Sequence, residues 1–105
     1  MIVTAWNNGK HHSSGAGYGF KLSAQDRDAQ FERGWESVLV SLPNGTIVEA
    51  NTNKASFWSD KCKELINQQF GEWLIQNQFA PWRKGHPPKF ELTHTSANRF
   101  TLDET

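Results

Sequence analysis

The stretch "SVLVSLPNGTIVEAN" constrains the fold more than any other part of the chain. Val38, Val40 and Leu42 alternate with Ser37, Leu39 and Ser41. A period of two suits a half-buried strand and no helix. "PNG" then reverses the chain: Pro43 fixes φ, and Asn44 and Gly45 tolerate positive φ. "TIVEA" returns antiparallel. A lone hairpin with one apolar face is marginal in water, so the rest of the chain must cover that face.

Further strands are available for this. "IVTAW" at 2–6 is β-branched and aromatic, and "GYGFKL" resumes a strand after an irregular segment. "FEL" and "RFTL" predict a second hairpin, with Phe90, Leu92, Phe100 and Leu102 facing inward, "THTSAN" as the turn and "DET" as a frayed tail.

Two helices are predicted. Ser23 and Asp26 have capping-box-like spacing and open a short helix over about 24–33, ending at Gly34. Trp58, Cys62, Leu65, Ile66, Phe70, Trp73 and Leu74 fall on one stripe at helical spacing. They predict one long amphipathic helix over about 57–79, capped by Ser56 or Ser59 and stopped by Pro81. Gly71 inside that pattern costs about 1 kcal/mol against Ala. It marks a kink or the close approach of another backbone.

The regular alternation of strand and helix that parallel sheets need is absent. The expected class is α+β: one small domain, residues 1–105. Its twisted or partly curled antiparallel sheet, a pseudobarrel if curled, packs on the long helix. Five Trp and seven Phe supply large anchors, each removing roughly 150–250 Å² from water. One cysteine excludes an intrachain disulfide and predicts a reducing, cytoplasmic setting. "MIVTAW" lacks the apolar core of a signal peptide, and no run is long enough to span a membrane.

The eleven basic and eleven acidic residues cancel. That argues against the globally basic surface usual for nucleic-acid binders. The distribution is uneven, however. Residues 1–25 hold Lys10 and Lys21 and no acid, and residues 73–90 hold Arg83, Lys84 and Lys89 and no acid. Between them, residues 26–72 carry eight acids against five bases.

The candidate functional residues fall in those two acid-free segments. "NNGKHHSSGAGYGF" (7–20) offers Lys10, His11, His12, Ser13 and Ser14 as donors. Gly15, Gly17 and Gly19 free the backbone to present N–H groups, as an anion nest does, and Tyr18 lies between them. Neither the G-x-G-x-x-G fingerprint nor the phosphate loop G-K-[ST] is present. The bland alternative is a flexible connection. "FAPWRKGHPPKF" sets Trp82 beside Arg83, Lys84, His86 and Lys89. Rings can stack on bases while cations meet phosphates; alternatively Trp82 only plugs the end of the long helix.

Other chemistry is thinner. Four histidines and one cysteine lack close-paired zinc spacing, so no metal or cofactor is expected. Cys62 sits on the apolar stripe, where a thiol is usually core. Asp28 and Glu32, four apart, read as a solvated helix face. Three functions stay open. The leading one is a non-catalytic module for an anionic ligand, nucleic acid ahead of a small phosphate or carboxylate metabolite. The second is a small enzyme using His11 or His12 as acid/base with Ser13 or Cys62. The third is a protein-interaction or homodimeric role.

Overall fold

The structure is a computed structural model and describes residues 1–104. Seven strands and two helices follow one another along the chain: β1 (Ile2–Asn7), β2 (Tyr18–Lys21), α1 (Ala24–Gln30), β3 (Ser37–Ser41), β4 (Ile47–Asn51), β5 (Glu64–Ile66), α2 (Gln68–Gln76), β6 (Lys89–Ser96) and β7 (Arg99–Glu104). All strands belong to one sheet in the order β4-β3-β7-β6-β1-β2-β5. The sheet curls until its two end strands nearly meet. There the Asn67 side-chain amide donates to the Glu49 carbonyl on β4 across 2.7 Å. The result is a small α+β domain built on a nearly closed barrel.

Both predicted hairpins form. Val38, Val40, Leu42, Val48 and Ala50 point inward from β3 and β4, and Phe90, Leu92, Phe100 and Leu102 from β6 and β7. The second hairpin is longer than expected. Asp103 and Glu104 are paired in β7, opposite Glu91 and Phe90, rather than frayed; Thr105, the last residue of the expected tail, lies outside the described residues. Pairing is antiparallel except between β3 and β7, which run parallel. Those two strands are joined through β4, β5, α2 and β6, so no hairpin dictates their relative direction.

The long helix does not form. Residues 57–63 run through turns, β5 pairs with β2, and only Gln68–Gln76 is helical. Lys63 takes φ +134°, which no helix accommodates. Leu65 and Ile66 then alternate, one buried and one exposed. Three strand pairs on β2, Lys21↔Glu64, Phe20↔Leu65 and Gly19↔Ile66, replace that helical turn. Tertiary pairing has overridden local periodicity. Ser59 Oγ does accept from the Cys62 amide at 3.1 Å, as a cap would, but no helix follows. Cys62 is therefore half-buried in a loop, off any helix dipole.

Asn67 caps α2, its side chain accepting from the Gln69 amide. The helix buries Phe70, Gly71, Trp73 and Leu74 against the sheet. Phe70 meets Phe20 edge-on at 5.0 Å, and Trp73 meets Phe90 at 5.4 Å. The short helix starts as predicted, with Ser23 Oγ accepting from the Asp26 amide. It stops at Gln30 rather than near 33. Phe31 turns extended, φ −117° and ψ 146°, and stacks on Phe100 at 4.6 Å. Burying a ring outweighs one more helical turn.

Candidate functional site

β1 and β6 are antiparallel neighbours, paired Ile2↔Glu91 to Thr4↔Lys89. The end of β1 thus lies beside the start of β6, and the Ala5 amide extends the contact by donating to the Pro88 carbonyl at 2.9 Å. The chain leaving β1 and the chain entering β6 emerge from the same end of the barrel. The two acid-free segments are consequently in contact.

The first segment is folded by its own asparagines. Asn7 Oδ1 accepts from the Gly9 amide at 3.1 Å, and Asn8 Oδ1 accepts from the Lys10 amide at 3.3 Å. These are two overlapping Asx turns. They bring His11 back over Tyr18 and Trp82. His11 Nδ1 and the Tyr18 hydroxyl are 2.7 Å apart. The three rings meet edge-on: His11 and Trp82 at 4.8 Å, His11 and Tyr18 at 5.5 Å, Tyr18 and Trp82 at 5.7 Å. Trp82 is half-buried against the core. Behind it "RKGH" turns tightly, the His86 amide donating to the Arg83 carbonyl with Gly85 at φ +81°.

Between the segments lies a cleft of about 460 Å³ lined by Asn7, Gly9, His11, Trp82, Lys84 and Gly85. Its donors are the His11 ring, the Lys84 ammonium and the Asn7 amide. Asn7 Nδ2 is buried and meets no hydrogen-bond partner. A buried, unmatched donor costs on the order of 1–3 kcal/mol. Burial raises the Tyr18 phenol above its ordinary value, and the neighbouring Asn7 side chain offsets this in part without completing a hydrogen bond through Nδ2. The phenol therefore stays protonated at neutral pH, and its hydroxyl shares one hydrogen bond with His11 Nδ1.

Of the residues expected to form the site, His11, Trp82 and Lys84 line the cleft, with Tyr18 directly behind. Lys10, Arg83 and His86 are exposed in the two flanking segments. Lys10, Arg83 and Lys84 form no salt bridge among the described residues. Lys89 begins β6 opposite Thr4. His12, Ser13 and Ser14 lie further along the loop, where the Ser14 carbonyl accepts from Gln68 Nε2 on α2 at 3.0 Å. The three alternating glycines do not line the cleft. Gly15 packs on Gly71 of α2, Gly17 on Asn8, and Gly19 on the Leu65 backbone. The Gly15 amide is already donated to the His12 carbonyl. These glycines serve close approach, which also explains Gly71.

Asn7, Gly9 and Gly85 line the cleft without having been singled out. The "NNG" and "KG" turn signals were their only trace. No group of three or more His, Cys, Asp or Glu able to hold a metal ion occurs among the described residues. No helix among them is long and apolar enough to cross a membrane. No protein-family model, no curated protein and no solved structure matches this chain.

Proposed function

We propose that the chain is a binding module for an anionic ligand, nucleic acid ahead of a small phosphate or carboxylate, held in the cleft between the 7–20 and 82–89 segments. One observation carries this: His11 packs on Trp82 at 4.8 Å, so the two acid-free segments share one concave surface. The orphan Asn7 amide adds a donor that a ligand acceptor would satisfy. Lys10, Arg83 and Lys84 supply charge for phosphates, Trp82 an aromatic surface for a base, and the His11 ring a directional polar group.

The test is a ¹H–¹⁵N NMR titration with a short mixed-sequence single-stranded DNA at low salt, then with added salt. The expected result is shifts clustered in 7–11 and 82–86, reversed by salt, with a slope set by the phosphates contacted. Charge reversal of Arg83 and Lys84 together should weaken binding. Affinity that survives both the substitutions and high salt overturns the proposal.

A second reading, a small enzyme, draws on the His11–Tyr18 hydrogen bond, which holds an imidazole in a fixed orientation at a cleft wall. It has no evident nucleophile. Neither Ser13 nor Cys62 hydrogen-bonds to His11 or His12 among the described residues.

A further inference from the structure

At the other end of β6 lies a second concavity of about 430 Å³, where the end of α1 and the 31–35 turn face the β6–β7 hairpin. Its chemistry is opposite to that of the first. Phe31, Trp35 and His94 form an aromatic corner, and Asp28 and Glu32 stand at its rim.

The corner is built from the core outward. Phe31 is stacked on Phe100 and cannot move without opening the barrel. Trp35 stands at 65° to Phe31 and 53° to His94, with centroids 6.2 and 6.1 Å away. His94 lies over Phe100 at 4.9 Å, and its Nε2 is fixed by the Ala97 carbonyl at 2.6 Å. That bond makes Nε2 the donor and fixes the plane of the ring. The turn that sets Glu32 beside Trp35 is closed by the Trp35 amide donating to the Glu32 carbonyl at 3.2 Å.

Of the two rim acids one is paired and the other is not. Arg27 is buried, donates to the carbonyls of Phe57 and Ser59, and pairs with Asp28 at 3.0 Å. Arg33 follows Glu32 in sequence, yet its guanidinium lies over the Trp58 ring at 4.5 Å. Glu32 is left with no salt bridge among the described residues. A carboxylate without a counter-charge beside a fixed, partly open aromatic corner suits a cation with apolar substituents. The rings attract its charge by their quadrupoles and cover its methyl groups, and the carboxylate adds Coulomb attraction.

We infer that this corner is a binding site for an organic ammonium group, either a free small cation or the side chain of a methylated lysine on a partner. Binding at this end is independent of the anion cleft, because Lys84 and His11 lie at the opposite end of β6.

The test titrates the full chain with choline and, separately, with 3,3-dimethyl-1-butanol, which has the same shape and no charge. Readouts are Trp35 and His94 side-chain NMR shifts. Choline should shift both resonances and bind at least about tenfold more tightly than the neutral alcohol, as a cation–π contact aided by a carboxylate predicts. Glu32→Gln should weaken choline about 2- to 5-fold while leaving the folded spectrum intact, because Glu32 is exposed. N-acetyl-trimethyl-lysine amide distinguishes the sources: tighter binding than choline assigns the site to a side chain, and weaker binding assigns it to a free cation. No choline shift up to about 50 mM, equal binding of the neutral alcohol, or an unchanged affinity in Glu32→Gln overturns the inference.

Discussion

Gly71→Ala is the substitution on which general rules and this fold give opposite signs. In an ordinary helix interior the change stabilises by about 1 kcal/mol. Here an added Cβ would lie 2.0 Å from the Gly15 carbonyl oxygen and 2.7 Å from the Gly15 Cα, where ordinary contact begins at 3.4 Å. The obstacle is backbone, so no side-chain rotation relieves it. Overpacking costs about 1–3 kcal/mol, and a clash this deep with main chain belongs at the upper end. The net effect is a destabilisation of about 2 kcal/mol, or a Tm lower by about 8–16 °C for a domain of this size. Urea melts and calorimetry of the two proteins measure it. Gly34→Ala serves as control, because nothing lies within 4 Å of its added Cβ and its φ is unremarkable. The control should be neutral or slightly stabilising. A Gly71→Ala protein more stable than the parent would refute the contact between the 7–17 loop and α2. It would also remove the reason offered for Gly15.

Three further outcomes are expected. Tyr18→Phe deletes the hydroxyl at 2.7 Å from His11 Nδ1 and should cost about 1 kcal/mol in urea melts, with a changed His11 tautomer signal in ¹⁵N spectra. An unchanged signal would mean that the phenol does not orient the imidazole. Tyr18 is the only tyrosine, so an ultraviolet titration reports it alone. Its phenol should ionise above the ordinary value of 10.0. The unfolded chain then loses this proton first, so stability present below pH 10.0 falls as pH rises through and beyond it. Tyr18→Phe should lack that component. Arg27→Lys keeps the charge but cannot span the Phe57 and Ser59 carbonyls and Asp28 together. It should cost about 2–3 kcal/mol in the same melts, and a loss below about 0.5 kcal/mol would show the guanidinium fork to be dispensable.

The hairpins were legible because period two has only one structural solution, and nine inward positions alternate cleanly around two turns. The Ser23 cap was legible because it is local. The false long helix shows where local information runs out. Leu65 followed by Ile66 fits both a helical stripe and a strand with one face in and one face out. Only the exposed edge of β2 decides between them, and that edge is 43 to 47 residues away in the chain. Within α2 itself the stripe was right: Phe70, Trp73 and Leu74 are buried as its period requires. The helical pattern marks Gly71 for a kink or a close approach, but its partner, Gly15, lies in a segment whose donors point to a ligand loop.

The same logic governs the site. Two acid-free segments can be read from the sequence, but their contact depends on β1 lying beside β6. The sheet order fixes it: antiparallel pairing of Thr4 with Lys89 forces the loop after β1 and the loop before β6 to one end. His94, on the same strand, is carried to the opposite end, beside Trp35 and the acids that close α1. One strand thus separates a basic cleft from an acidic, aromatic corner. A net charge of zero thus hides a cleft lined by Lys84 and His11 at one end of β6 and a concavity lined by Asp28 and Glu32 at the other. This separation makes the two proposals independent. Reversing Arg83 and Lys84 should leave choline binding unchanged, and Glu32→Gln should leave DNA binding unchanged.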